Sequence, residues 1–297
     1  MPRGRRSGEK SMLYVEPDFF GSFVCTAGNC RHSCCVDWEI DIDRSTAEYY
    51  KGIEGETGEK LRSHIAFEPE PHFVLDGEDR CPFLRRDGLC ELILKLGEDS
   101  LCDICREHPR FYNEFPQREE RGLGLCCEEA VRLLLSSDEP LKLLYEGEEQ
   151  HTPEVLKLRQ GVMELFSDRS ISLPERMKRS CILLGTDEFT FDAGRWKNFY
   201  LGLERLDDGW TEMLRSITDA VEPKDAALER IGEYMIFRHF PSADNRAEAA
   251  DILKFVILSV YMISSIEAPM EDKLRMYSSE IEYSDENIGK IIAEINR

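Results

Sequence analysis

The stretch Cys25-Thr-Ala-Gly-Asn-Cys30-Arg-His-Ser-Cys34-Cys35 places four thiols within eleven residues, and its reading decides the fold class. Three further groups lie downstream: Cys81 and Cys90 at the two ends of CPFLRRDGLC, Cys102 and Cys105 in CDIC, and the adjacent pair Cys126-Cys127. Ten of the eleven cysteines thus fall in the first 127 residues. Thiols at this density serve disulfides, metal or redox chemistry, and the compartment decides among them. The N-terminus, MPRGRRSGEKSMLYVEPDFFGS, has basic residues but no apolar run of signal-peptide length and no small-residue cleavage site. A cytoplasmic protein is expected, in which clustered cysteines hold metal rather than form disulfides. The most apolar stretch, Ile252 to Ile266, contains Lys254 and falls short of the ~20 residues needed to span a bilayer. It reads as a buried helix, and no membrane partner is expected.

The chain has 297 residues, 41% hydrophobic and 33% charged, enough for one large domain or two ordinary ones. Its net charge of −21 is spread over both halves, which argues against nucleic acid, since that partner needs a basic face. An acidic surface suits a lysine-rich partner through long-range steering, and equally serves solubility.

Up to about Arg132 the sequence is loop-rich and punctuated by Gly, Pro and Asp. Short strands are expected at 38–43 and 72–75, and Asp43 or Ser45 caps a helix that begins at Ala47-Glu48-Tyr49-Tyr50. Later segments carry helical periodicity and start signals after Thr152-Pro153 and Leu173-Pro174, from Arg195 to Leu206, from Gly209 to Val221, between Pro223 and Pro241, from Ala247 to Ser265, and from Asp285 to Ile295. The fold expected is mainly α: a cysteine-rich, loop-rich metal-binding domain with few short strands over residues 1–135, then an all-helical domain over 136–297.

Cys102-Asp-Ile-Cys105 has the two-residue gap that wraps a turn around one metal ion. Zinc and iron–sulfur clusters both take four thiolates, so ligand type does not choose between them. The spacing is neither that of a zinc ribbon nor that of a bacterial ferredoxin. It is not the three-cysteine loop of radical SAM enzymes either, because Asp37 stands where the third cysteine would be. Cys181, on a predicted helix, reads as a packing residue.

In order, Pro17-Asp-Phe-Phe-Gly-Ser-Phe-Val-Cys25, Cys30, Cys34-Cys35-Val-Asp-Trp38-Glu-Ile-Asp-Ile-Asp43, CPFL at 81–84, Gly88-Leu-Cys90 and Cys102-Asp-Ile-Cys105 resemble the flagellin lysine-N-methylases and the related cysteine-rich, zinc- or iron-chelating domain. Leu125-Cys-Cys127-Glu-Glu129-Ala130 resembles the family's Ser-Cys-Pro-Glu-Ala segment, which makes Cys127 the matching thiol and Cys126 an extra. His108 departs from the aromatic residue that the family tends to have before Pro109-Arg110. The segment from Tyr277 to Asn287 is similar to its C-terminal region.

The resemblance implies methyl transfer from S-adenosylmethionine to lysine ε-amines of flagellin or another lysine-rich protein. It also implies a [4Fe–4S] cluster, or alternatively zinc, on Cys25, Cys30, Cys34, Cys35, Cys81, Cys90, Cys102, Cys105 and Cys127. No glycine fingerprint locates the donor; Gly122-Leu-Gly124 is a lone GxG. Lysine must lose a proton before it is methylated, which calls for an acid–base group; the candidates near the cysteine groups are Asp37, Asp41, Asp43, Tyr49, Glu107 and Tyr112, with Asp37, Asp41, Tyr49 and Tyr112 foremost. Arg110 suits a carboxylate of donor or substrate, and Trp38 suits a cationic sulfonium. Two rival readings come from other classes: a non-catalytic zinc- or iron-binding module acting as chelator, sensor or scaffold, and a thiol redox protein built on Cys102 and Cys105.

Overall fold

A computed structural model describes residues 12–148 and 151–297. It is mainly helical, 52% helix against 11% strand. Strand β1 (Leu13–Pro17) alternates buried and half-buried residues, and the chain then enters the first of two compact units, which consists of Val24–Phe111 together with Cys127–Glu129. Helix α1 (Arg44–Lys51) starts where the Asp43 carboxylate accepts the Thr46 amide at 2.9 Å, a cap that satisfies one of the orphan donors of the first turn. Ala47 and Tyr50 face inward from it, and the Tyr50 hydroxyl donates to the Ser100 carbonyl at 2.7 Å.

Helix α2 (Gly55–Ser63) can approach Ile53 because residue 58 is glycine: a Cβ there would lie 1.8 Å from the Ile53 carbonyl oxygen. Strands β2 (Ile65–Ala66) and β3 (His72–Phe73) pair antiparallel. Of the two strands expected from sequence, 72–75 is shortened to β3. Segment 38–43 is joined to it by an isolated bridge, Asp41 to His72, and by the Phe73 amide donating to Ile40. Two short helices complete the unit, α3 (Glu91–Leu96), ended by Gly97 at φ +89°, and α4 (Asp103–Glu107), which begins after Cys102. Their core is Ile40, Ile42, Tyr50, Leu61, Phe73, Phe83 and Leu101, with Phe73 and Phe83 packed edge to face at 5.4 Å. Each such fully buried side chain contributes about 1.5–3 kcal/mol.

The second unit contains the described residues up to Phe23, Tyr112–Cys126 and everything from Ala130 onward. Strands β4 (Arg110–Phe115), β5 (Arg118–Leu123) and β6 (Leu143–Glu146) join β1 in a four-stranded sheet of order β4-β5-β1-β6. β1 runs parallel to β5, with Val15 opposite Glu120, and antiparallel to β6, with Val15 opposite Tyr145. This sheet was not expected from the sequence, and β6 lies inside the stretch expected to be all helix. Helix α5 (Glu128–Leu134) precedes β6.

The helices that follow are α6 (Glu154–Phe166), α7 (Leu173–Leu184), α8 (Ala193–Leu201), α9 (Asp208–Ser216), α10 (Ala226–His239), α11 (Arg246–Ser265), α12 (Met270–Tyr277) and α13 (Asp285–Ile295). α8 ends at Gly202, short of the expected Leu206. α11 is buried on nearly all sides, from Ala249 to Ser265, as an apolar helix surrounded by others must be. Its Ser259 hydroxyl accepts from Tyr277 at 2.7 Å, and Tyr277 lies 2.9 Å from the Tyr200 hydroxyl, so buried hydroxyls are mutually satisfied. Among the described residues no helix is long and apolar enough to cross a membrane.

Candidate metal centre

All nine cysteines that match the family pattern lie in the unit formed by Val24–Phe111 and Cys127–Glu129. Cys126 and Cys181 belong to the other, both buried. Among the described residues every cysteine is a thiol, with no disulfide.

Local geometry explains how distant stretches meet. The first loop turns at Ala27, whose amide donates to the Cys25 sulfur at 3.4 Å, and the Cys30 thiol donates to the His32 carbonyl at 3.3 Å. Gly28 rests against the turn between Cys81 and Cys90: a Cβ on it would stand 2.6 Å from the Asp87 carbonyl oxygen, and Gly88 opposite has φ +76°. The Cys81 amide donates to the Cys35 carbonyl at 2.8 Å, and Leu84 bridges to Cys90. The second oxygen of Asp43 accepts the Asp103 amide at 3.1 Å, tying the start of α4 and its Cys102 to the start of α1. Glu128, next to Cys127, accepts the Arg31 amide at 3.0 Å and lies 2.9 Å from His32 Nδ1. Sequence reasoning missed the roles of Glu128 and His32; the only signal was a carboxylate directly after a matching cysteine.

The thiols perturb one another. Cys34 and Cys35 share a hydrogen bond, so the pair releases its first proton readily and holds the second. Cys35 falls to about 7, chiefly through that bond, while the bond, burial and the neighbouring Cys35, Cys25 and Cys127 drive Cys34 upward. Cys102 and Cys105 repeat this, the shared hydrogen bond lowering Cys102 and raising Cys105. Burial, then the nearby Cys35 and Cys90, push Cys81 up to about 12. Burial opposes the charge of Glu128, but the Arg31 amide and His32 hold its carboxyl below the usual range.

Soft thiolates in this number fit zinc or an iron–sulfur cluster in donor chemistry. As the side chains stand, no group of three or more His, Cys, Asp or Glu among the described residues is arranged to hold an ion. The thiols are therefore gathered into neighbourhoods rather than set as a finished coordination sphere.

The other candidates are dispersed. Asp37, at φ +63°, and Asp41 are exposed, Tyr49 is exposed beside Tyr50, Trp38 is half-buried, and Arg110 is half-buried at the start of β4. Tyr112 is exposed on β4 and belongs to the other unit. His108 is half-buried, and burial pushes its imidazole pKa down. None of these lines either of two cavities in the helical unit. One, of about 430 Å³, is bordered by Arg118, Tyr145, Leu156, Arg159, Gln160 and Met163 among others; the second, of about 480 Å³, by Arg169, Ser172, Arg176 and Lys224 among others.

Fold and thiols together define a mainly helical protein with a cysteine-gathering unit. Over part of its length the chain is similar to lysine-N-methylases. It is 26% identical to a protein named Lysine-N-methylase from Salmonella typhimurium over 141 residues, 45% of this chain and 35% of that one, and equally so to its namesake from Salmonella choleraesuis. It is 25% identical to the flagellar biosynthetic protein FliU of Salmonella muenchen, over 45% of this chain and 83% of that protein. The match spans about a third of the two lysine-N-methylases. No family model matches the chain, and no solved structure does.

Proposed function

We propose that this chain transfers a methyl group from S-adenosylmethionine to lysine ε-amines of a protein, flagellin or another lysine-rich chain, and that its thiol-rich unit carries a [4Fe–4S] cluster. The observation that carries this reading is the pairing of a lysine-N-methylase relationship with nine thiols gathered in one unit. FliU's name supports a flagellar substrate.

In the transfer, the neutral amine's lone pair attacks the methyl carbon, the carbon–sulfur bond breaks, the thioether leaves, and a nitrogen-bound proton passes to a base. Lysine is a cation below ~10.4, so the site has to favour its neutral form at the moment of attack. The thiol-rich unit carries 11 Lys+Arg against 21 Asp+Glu. That surplus steers a lysine-rich chain toward it. Asp37, Asp41 and Tyr49 are exposed on this unit, reachable by a protein's side chain, and stand as the proton acceptors to test, with Tyr112 beside them in the set. Trp38 offers an aromatic face to a sulfonium, and Arg110 a guanidinium to a carboxylate. Held on the cysteine thiolates, a cluster supplies electron transfer or an iron that binds donor atoms, besides cross-linking the loops.

A second reading, a non-catalytic metal-binding module, is favoured by one observation: five of the nine thiols pack into or against the apolar core, where structural metals replace missing hydrophobic area. Mass spectrometry of flagellin incubated with S-adenosylmethionine and anaerobically purified protein separates the two. Added methyl mass on lysines is expected. Unmodified flagellin from metal-replete protein leaves the module.

A further inference from the structure

We infer that the strand edge at residues 39–41 is where a lysine-bearing segment of another protein docks, as an added strand whose lysines face Glu39 and Asp41. The inference rests on the reading above for the lysine-bearing substrate and deepens it by naming where that chain is held.

β3 pairs with β2 on one side, Phe73 opposite Ile65 and His72 opposite Ala66. On its other side Asp41 stands opposite His72. The Ile42 amide donates to the Pro71 carbonyl at 2.7 Å, and the Phe73 amide to the Ile40 carbonyl at 3.0 Å. With those bonds on the two neighbours of Asp41, the Asp41–His72 pair is a non-hydrogen-bonded one, so the N–H and C=O of Asp41 itself point away from β3. Among the described residues neither Glu39 nor Asp41 makes a main-chain hydrogen bond. This edge can therefore take a further strand. Ile40 and Ile42 are buried while Glu39 and Asp41 are exposed, the alternation of a strand with one face on the core.

Charge decides what such a strand carries. From Asp37 to Asp43 every second residue is acidic and none is lysine or arginine. Asp43 is engaged by the Thr46 and Asp103 amides, whereas Glu39 lies 3.9 Å from His72 Nε2 and Asp41 has no ion pair among the described residues. A second copy of this chain would set these carboxylates against their own kind, which disfavours self-pairing. A strand with lysines at alternate positions sets opposite charges across the pair instead, while main-chain bonds supply the affinity. Docking at this edge does not depend on which side chain accepts the reacting amine's proton.

Fluorescence anisotropy of the anaerobically purified full chain with a short, fluorescein-labelled peptide of alternating lysine and valine tests this. Saturable binding is expected, and Glu39→Lys combined with Asp41→Lys weakens it roughly tenfold or more, since like charges then face each other. Glu54→Lys combined with Glu59→Lys, at exposed positions of the same unit, changes the net charge equally and leaves most of the affinity. A measurement on the wild type needs no variant to fold: N-methylation of one alternating set of peptide amides abolishes binding and N-methylation of the other set is tolerated, because only one set faces the edge strand. Equal losses in the two double variants, equal losses with the two N-methylated peptides, or no binding to the wild type overturns the inference. No peptide binding together with methylated flagellin removes the inference and leaves the proposed function standing. Binding at this edge without methyl transfer does the reverse, so the two failures are distinguishable.

Discussion

Glu233, on α10, offers a sharp test of the packing of the helical unit. Its side chain has no solvent exposure, and it accepts the Leu141 amide at 2.6 Å and the Ser167 hydroxyl at 2.7 Å. Burial outweighs those two bonds and the nearby Arg230, and raises the carboxyl from 4.5 to about 7. A folded-state pKa above the unfolded one means that the folded state holds the proton more tightly. The group's contribution to stability is fully present below about 4.5 and is lost as pH rises through about 7. Glu233→Gln keeps an oxygen for the Leu141 amide and an NH2 that donates to Ser167, and it cannot ionise. The stability of the variant relative to wild type should therefore grow by about 2.5 kcal/mol between pH 5 and pH 8.5. For a unit of this size that is roughly 5–10 °C in Tm. Thermal unfolding of both proteins across that range gives the difference directly. A difference independent of pH, or one that shrinks toward alkaline pH, refutes the reasoning.

Glu120→Ala should destabilise by about 3–5 kcal/mol, read by urea unfolding, because Glu120 is fully buried and receives Arg159 at 2.5 and 2.7 Å and Arg118 at 2.7 Å, and its loss strands buried cations from their shared carboxylate. Gly58→Ala should lower the stability of the thiol-rich unit by at least about 2 kcal/mol, since its Cβ meets backbone rather than a movable side chain; proteolysis resistance equal to wild type contradicts this. Cys105→Ala should release metal, whereas Cys181→Ala, which empties a position buried on α7 in the other unit, should leave metal content unchanged in elemental analysis.

The helices were the legible part of the fold. Asp43, one of the two caps expected there, caps α1, and the end helix falls on Asp285–Ile295 as its periodicity indicates. The four-stranded sheet was hidden for two physical reasons. Its central pair, β1 and β5, joins residues about a hundred positions apart. In β5 the inward positions include Arg118 and Glu120, a buried ion pair, so the alternation that marks a half-buried strand is absent from the hydropathy. For the candidate centre, cysteine spacing marked the stretches that gather in one unit but not which of them touch. Nothing in the spacing tells that the Cys81 amide meets the Cys35 carbonyl, or that Glu128 reaches Arg31 and His32; those are contacts of the folded chain. Cys181 is buried while its neighbours Ile182 and Leu183 are exposed, so the apolar run around it does not mark one helix face.

The most direct measurement is the identity and stoichiometry of metal in protein purified without oxygen. A brown protein with broad absorbance near ~400 nm, holding iron and acid-labile sulfide on its cysteine thiolates, is what the proposed function predicts. Colourless, metal-free protein that is folded and stable contradicts it.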